Sequence, residues 1–257
     1  VQFDDAGLGT PLAGHVPKGA RQLAIAAIDT ASVIGGIRLA AARSGVDFDY
    51  LLAQARVESG LNPAAAAPTS SARGLYQFTA GTWLDTVRKH GAEHGLGWAA
   101  DALKAGADPT TRATILDLRR DAGTSASMAA ALAADNAKLL ERRLGHTANA
   151  TELYLAHFLG AGGAARFLQA RAANPDGAAS AAVLPAAARA NASVFTARGG
   201  RARTLAEVYE RFSAKLAVAP ATVAATGNTA ARTGSALPVN APAAARTAYL
   251  LLAEFGA

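Results

Sequence analysis

Apolar positions along the chain recur at helical spacing, and no run alternates long enough to predict a strand. Residues 1–20 carry glycines and prolines without periodicity and read as a flexible arm. A helical stretch is predicted from about Ala20 to Ala42, broken at Gly35 and Gly36. From Val46 the signals sharpen. Asp47 is placed to cap a helix, with Val46 and Leu51 as the hydrophobic staple across it. That helix runs to Ser59, and Gly60 supplies the stop. Asn62-Pro63 opens a loop that continues through Pro68 to Arg73. Thr79 is then expected to cap a helix from Gly81 to about His90.

A long amphipathic helix follows from about Ser125 to Leu144, closed by Gly145. Thr151 is expected to cap the next, which carries Leu153, Tyr154, His157 and Phe158 and stops at Gly160. A shorter helix with Phe167 and Leu168 ends before Asn174-Pro175. Residues 176–192 are ambiguous between loop and helix, and Leu205 to Leu216 gives one more amphipathic helix with Val208, Tyr209 and Phe212 inward. Residues 218–241 have linker composition, rich in Ala, Thr, Gly and Pro, and a short helix is expected from Ala245 to Phe255. The class is mainly α, with an organised body over residues 21–217 between an arm (1–20) and a tail (218–257).

Composition fits this picture. Roughly a quarter of the 257 residues are alanine, which loses no side-chain entropy in a helix. Cysteine is absent, which excludes disulfide frameworks and thiolate chemistry. No apolar run approaches the ~20 residues of a membrane span, so the chain reads as soluble. The histidines show no metal-ligand spacing, and neither metal nor cofactor is expected. A net charge of +6 with pI ≈ 10.0 favours an acidic partner: nucleic acid, anionic lipid or an acidic polymer such as a cell wall. The arginines are scattered and do not alternate with aromatic stacking platforms, which argues against nucleic acid.

One carboxylate stands out. Leu51, Ala55 and Glu58 fall at i, i+4 and i+7, which puts Glu58 on the apolar face of its helix. It also lies in the last turn, where the helix dipole disfavours negative charge. Both effects raise a carboxyl pKa and predict a Glu58 protonated near neutral pH, as a general acid requires. The alternative is a Glu58 that bends to solvent or pairs with Arg56 or Arg73. From Ser59 to Leu84 there is no Asp or Glu. That stretch instead offers Thr69, Ser70, Ser71, Tyr76, Gln77, Phe78, Thr79, Thr82 and Trp83. Hydroxyls, an amide and aromatic faces are the usual lining of a sugar site, although Trp83 alone reads better as core.

The segments Glu58-Ser59-Gly60-Leu61-Asn62-Pro63, Ser71-Ala72-Arg73-Gly74-Leu75-Tyr76-Gln77-Phe78 and Thr82-Trp83 resemble the soluble lytic transglycosylase family. The likeness is closest to its alphaproteobacterial and phage-tail-like branch. Ser71 stands where the family pattern has glycine, and Tyr76 where it has methionine. Ala156-His157-Phe158-Leu159-Gly160 occupies the place of the family's A-Y-N-A-G, with His157 in the position of the tyrosine and Tyr154 one turn earlier. Phe195 to Lys215 looks like a trailing element of the same branch. The resemblance spans residues 21–216.

It implies a lysozyme-like catalytic domain that cleaves peptidoglycan glycan strands, and hence work in the periplasm or outside the cell, although the chain opens at Val1 without a visible signal segment. Glu58 would protonate the oxygen linking N-acetylmuramic acid to N-acetylglucosamine, then deprotonate the C6 hydroxyl so that an anhydro ring closes. Ser71 and Gln77 would hydrogen-bond the sugar, Tyr76 would pack against it, and either Tyr154 or His157 would support Glu58. A base such as Asp85 or Glu93 would instead make the protein a hydrolytic muramidase. A non-catalytic wall-binding or structural protein of the same fold is the remaining alternative. The chain is expected to act as a monomer, with the C-terminal helix a candidate for docking a protein partner.

Overall fold

The computed structural model describes residues 18–183 and 185–217. The expected linker over 218–241 and the helix over Ala245 to Phe255 lie outside the described residues. Eleven α-helices follow one another among those described: α1 (Lys18–Ser44), α2 (Phe48–Ser59), α3 (Ala80–His90), α4 (Gly97–Lys104), α5 (Pro109–Asp117), α6 (Ala122–Leu144), α7 (Ala150–Leu159), α8 (Ala161–Ala173), α9 (Pro185–Ala190), α10 (Ala192–Phe195) and α11 (Leu205–Ala217). Isolated bridges such as Ala66 with Arg73 and Arg73 with Phe78 are the β-type pairing among these residues. None of the described helices is long and apolar enough to cross a membrane.

The centre of the fold is α6, which packs against α1, α8, α3, α7 and α2. Its buried face is built from small residues, Ser125, Ala126, Ala129, Ala130 and Ala133 with Met128 and Leu140. Small side chains let helix axes approach closely. They also explain why α1 runs unbroken through Gly35 and Gly36, against the expected break. A β-carbon at Gly36 would stand 3.4 Å from the Cα of Gly123, at the start of α6. Two glycines cost an isolated helix about 2 kcal/mol relative to alanine. Here the packing of α1 along α6 outweighs that cost.

Most predicted caps are present. The Asp47 side chain accepts from Tyr50 N, Gly60 is left-handed at φ 65°, and the Thr79 side chain accepts from Thr82 N. One cap is corrected: α7 is capped by Asn149 and not by Thr151. Asn149 Oδ1 accepts from Glu152 N at 3.0 Å, and Glu152 Oε2 accepts from Asn149 N at 2.9 Å. This reciprocal pair satisfies two otherwise orphaned donors, more than a threonine two residues later can reach. The long helix α6 also starts earlier than expected, at Ala122, because Asp121 caps it through Thr124 N. Helices α4 and α5 have no counterpart in the predicted elements.

Candidate active site

The loop between α2 and α3 is fixed to the body at several points, and together they hold it against the end of α2. The Ser59 hydroxyl lies 2.7 Å from the Leu75 carbonyl, tying the last turn of α2 to the loop sixteen residues on. The Tyr76 hydroxyl donates to Leu51 O at 3.1 Å. Gln77 adopts a left-handed φ of 48° and its amide nitrogen donates to Gly74 O at 2.8 Å and Ala65 O at 3.2 Å. Arg119 reaches across from beyond α5. Its guanidinium donates to Leu116 O at 2.8 Å, Ser71 O at 2.7 Å and Phe78 O at 3.1 Å. Gly74 is pressed so closely on the Arg119 carbonyl that a β-carbon would lie 1.9 Å from its oxygen.

This arrangement gives the expected sugar contacts different settings. Ser71 is exposed, and its hydroxyl oxygen accepts from Ala80 N at 3.1 Å. Gln77 is buried in the frame of the loop. Tyr76 is fully enclosed, so its ring has no face left for a sugar and it serves as the anchor of the loop on α2. Trp83 is core as well, with its indole nitrogen donating to Ile115 O at 2.7 Å.

Glu58 does lie on the inward face of α2, with its side chain only 6% exposed. Tyr154 and His157, one turn apart on α7, both face it. The Tyr154 hydroxyl donates to Glu58 Oε1 at 2.9 Å, and His157 Nε2 stands 3.4 Å from the same oxygen. The two rings are stacked at 5.8 Å and 11°. Both residues, offered as alternatives from the sequence, thus contact the Glu58 carboxylate. Two further residues join them. From α11, Lys215 Nζ donates to the Tyr154 hydroxyl oxygen at 2.9 Å. From α2, Gln54 Nε2 lies 2.9 Å from His157 Nδ1.

The sequence reading missed both. Gln54 is one turn before Glu58 on the same face. Lys215 is seven residues after Val208 and shares the inward face of α11. Phe212 docks that helix, packing at 4.9 Å against Phe158 and 5.7 Å against Tyr154.

Electrostatics corrects one expectation. Burial pushes the Glu58 carboxyl up and is the largest single influence on it. The His157 hydrogen bond, its charge when the ring is protonated, the charge of Lys215 and the Tyr154 hydroxyl together outweigh burial, and Glu58 is held below its ordinary value. Helix face and dipole capture burial but not the partners that α7 and α11 bring. Burial and the Glu58 charge push the Tyr154 hydroxyl well up, so it stays a donor. Burial followed by the Glu58 charge also raises Tyr50. Lys215 is lowered by burial, against the pull of Glu58.

The other carboxylates considered sit elsewhere. Asp85 pairs with Arg88 at 2.9 Å in a shallow pocket lined by Leu84, Leu103 and Arg112, none of which belongs to the Glu58 cluster. Glu93 is exposed on the turn after α3.

The described residues form a mainly helical body in which the Glu58 carboxylate meets a tyrosine and a histidine, with a lysine one bond further out. Residues 36–108 match the model of the Transglycosylase SLT domain family, which supports peptidoglycan cleavage of the lytic transglycosylase type. The matched stretch contains Glu58, Gln54 and the loop through Gln77, and ends before Tyr154, His157 and Lys215.

Proposed function

We propose that the protein is a peptidoglycan lytic transglycosylase in which Glu58 acts alone as acid and then base. The observation that carries this reading is the surroundings of Glu58: a buried carboxylate whose principal partners are a histidine, a lysine and a tyrosine, with the alternative carboxylates on other surfaces. Glycosidases that add water use two carboxyl groups flanking the bond. A single one suffices when the substrate supplies the second nucleophile.

In the first step the Glu58 proton passes to the glycosidic oxygen. The bond from C1 of N-acetylmuramic acid to that oxygen breaks, and the oxygen of the substrate's own N-acetyl group closes on C1. In the second step Glu58, now a carboxylate, takes the C6 hydroxyl proton. The C6 oxygen displaces the acetamide oxygen from C1, giving a 1,6-anhydro end and returning the proton to Glu58. No water is consumed. Tyr154 and Lys215 stabilise the carboxylate form between the two steps. Ser71, exposed on the loop, serves as a hydroxyl that hydrogen-bonds the sugar. The protein's positive charge suits the free carboxylates of the wall peptides. This substrate places its work in the periplasm or outside the cell.

The test is digestion of purified sacculi by the wild type and by Glu58→Gln, with released muropeptides read by mass spectrometry. Anhydro-muramyl ends from the wild type and at least a hundredfold less from Glu58→Gln are expected, as for loss of a general acid. Reducing ends from the wild type would refute the single-carboxylate mechanism. Release undiminished in Glu58→Gln would refute the assignment of Glu58.

A further inference from the structure

Glu58 is held as a carboxylate in the resting site, yet the proposed first step needs it protonated. The geometry around His157 offers a source for that proton. Gln54 is 3% exposed, and its amide nitrogen stands 2.9 Å from His157 Nδ1. Its carbonyl oxygen Oε1 is buried with no hydrogen-bond partner. An amide nitrogen only donates, so in this orientation Nδ1 must present its lone pair. A neutral imidazole then carries its proton on Nε2, the nitrogen 3.4 Å from Glu58 Oε1. Turning the Gln54 amide by half a revolution exchanges its two ends. Oε1, unpartnered as it stands, then accepts from an Nδ1–H. With Nε2–H still facing Glu58, the ring takes up a proton from solvent at Nδ1 to become an imidazolium, and the pair holds one proton more.

We propose that Gln54 is a positioning residue whose amide, by presenting either its nitrogen or its oxygen to His157 Nδ1, selects whether the His157–Glu58 pair holds the proton that starts cleavage. With the oxygen turned to the ring, the Nε2–H bond breaks and an Oε1–H bond forms on Glu58. The imidazole is left neutral with its remaining proton on Nδ1, bonded to Gln54. The carboxylic acid then delivers that proton to the glycosidic oxygen. With the nitrogen turned to the ring, as in the structure, the pair is one proton short and serves only as base. The proton belongs to the pair and not to either residue. The other titratable groups facing the pair are Tyr50 on α2, Tyr154 on α7 and Lys215 on α11. The tyrosines stay protonated and Lys215 bonds Tyr154, so His157 is the partner able to exchange a proton with Glu58.

The inference rests on the reading of Glu58 as acid and base, and its test separates the two. Nitrogen-15 NMR of histidine-labelled protein, with the His157 signals assigned by their loss in His157→Gln, needs no substrate. At alkaline pH the wild type is expected to show a protonated Nε2 and a bare Nδ1. A protonated Nδ1 in the neutral ring would overturn the proposal. Two variants add the kinetic readout. Gln54→Glu presents only acceptors, so the alkaline limb of the pH profile for muropeptide release moves up by about one unit. Gln54→Met is close in size and presents neither group, so the limb moves down and release at pH 7 falls roughly tenfold. Profiles of both variants superimposed on the wild type would overturn the proposal. The predicted tautomer in a wild type that releases no muropeptide would support the Gln54 assignment and refute the transglycosylase reading alone.

Discussion

Replacing Tyr154 by phenylalanine removes one hydroxyl from a site where it serves two neighbours. It donates to Glu58 Oε1 at 2.9 Å and accepts from Lys215 Nζ at 2.9 Å, and the residue is only 2% exposed. A hydrogen bond to a charged group contributes about 1.5–3 kcal/mol. His157 remains to hold Glu58, which puts the loss at the lower end, about 1.5 kcal/mol, and lets the carboxyl rise toward its ordinary value. Lys215 is part-buried and regains water when its acceptor is lost, adding under about 1 kcal/mol.

The sign with pH follows from the direction of the Glu58 shift. Its carboxyl is depressed in the folded protein. The associated stability is therefore fully present above the unfolded value of about 4.3 and is lost as pH falls through the folded value. Tyr154→Phe should cost about 1.5–2.5 kcal/mol at pH 7, and the cost should shrink to under about 1 kcal/mol once Glu58 is protonated. Urea unfolding of both proteins across a series from pH 7 down to pH 2.5 measures this. The same substitution made in Glu58→Gln should show the smaller cost at every pH, because the charge it stabilised is gone. A penalty that is the same at all pH values and in both backgrounds would refute the account, leaving Tyr154 as a packing residue only.

Gly74→Ala is expected to be far more damaging than Gly60→Ala, although both glycines have positive φ. The added carbon would lie 1.9 Å from the Arg119 carbonyl oxygen in the first case and would meet nothing within 4 Å in the second. The first should cost more than about 3 kcal/mol and lower the thermal midpoint by roughly 6–12 °C, the second about 1 kcal/mol. Equal midpoints for the two variants would show that the loop is not clamped as described. Lys215→Met removes a cation that favours ionised Glu58. It should move the alkaline limb of muropeptide release up by about one unit, and an unmoved profile would remove Lys215 from the site.

Glu58 was legible because a single helix displays it: its spacing from Leu51 and Ala55 marks the inward face without reference to any other part of the chain. His157 was reached instead through the likeness of Ala156-His157-Phe158-Leu159-Gly160 to the lytic transglycosylase pattern, and Tyr154 as its neighbour one turn earlier. Their protonation was not legible, since it depends on which helices meet, and the carboxyl direction inferred from α2 alone was reversed by groups on α7 and α11. Lys215 shows the limit most plainly. Its spacing from Val208 is visible in the sequence, but a lysine on an apolar face gains meaning only once Phe212 is seen against Tyr154 and Phe158. Gly35 and Gly36 failed for a related reason, as local helix preference yields to the contact with Gly123. Asn149 and Glu152 were readable as a capping box, and Asp108-Pro109 as the start of α5, since Asp108 Oδ1 accepts from Thr110 N and Thr111 N. Both signals are purely local.

The three bonds that complete the site join residues far apart along the chain: Tyr154 to Glu58 across 96 positions, His157 to Gln54 across 103, and Lys215 to Tyr154 across 61. Such closures are entropically costly and form after local packing. On a ribosome adding about 5–20 residues per second, Lys215 is joined to the chain some 3–12 s after Tyr154. Through that interval the residues of α2, its loop and α6 have been joined to the chain, while the ammonium that helps to ionise the carboxylate has not. Synthesis thus delivers the scaffold first and the electrostatics last. A chain that ends before α11 carries the glutamate and lacks the lysine that helps to ionise it.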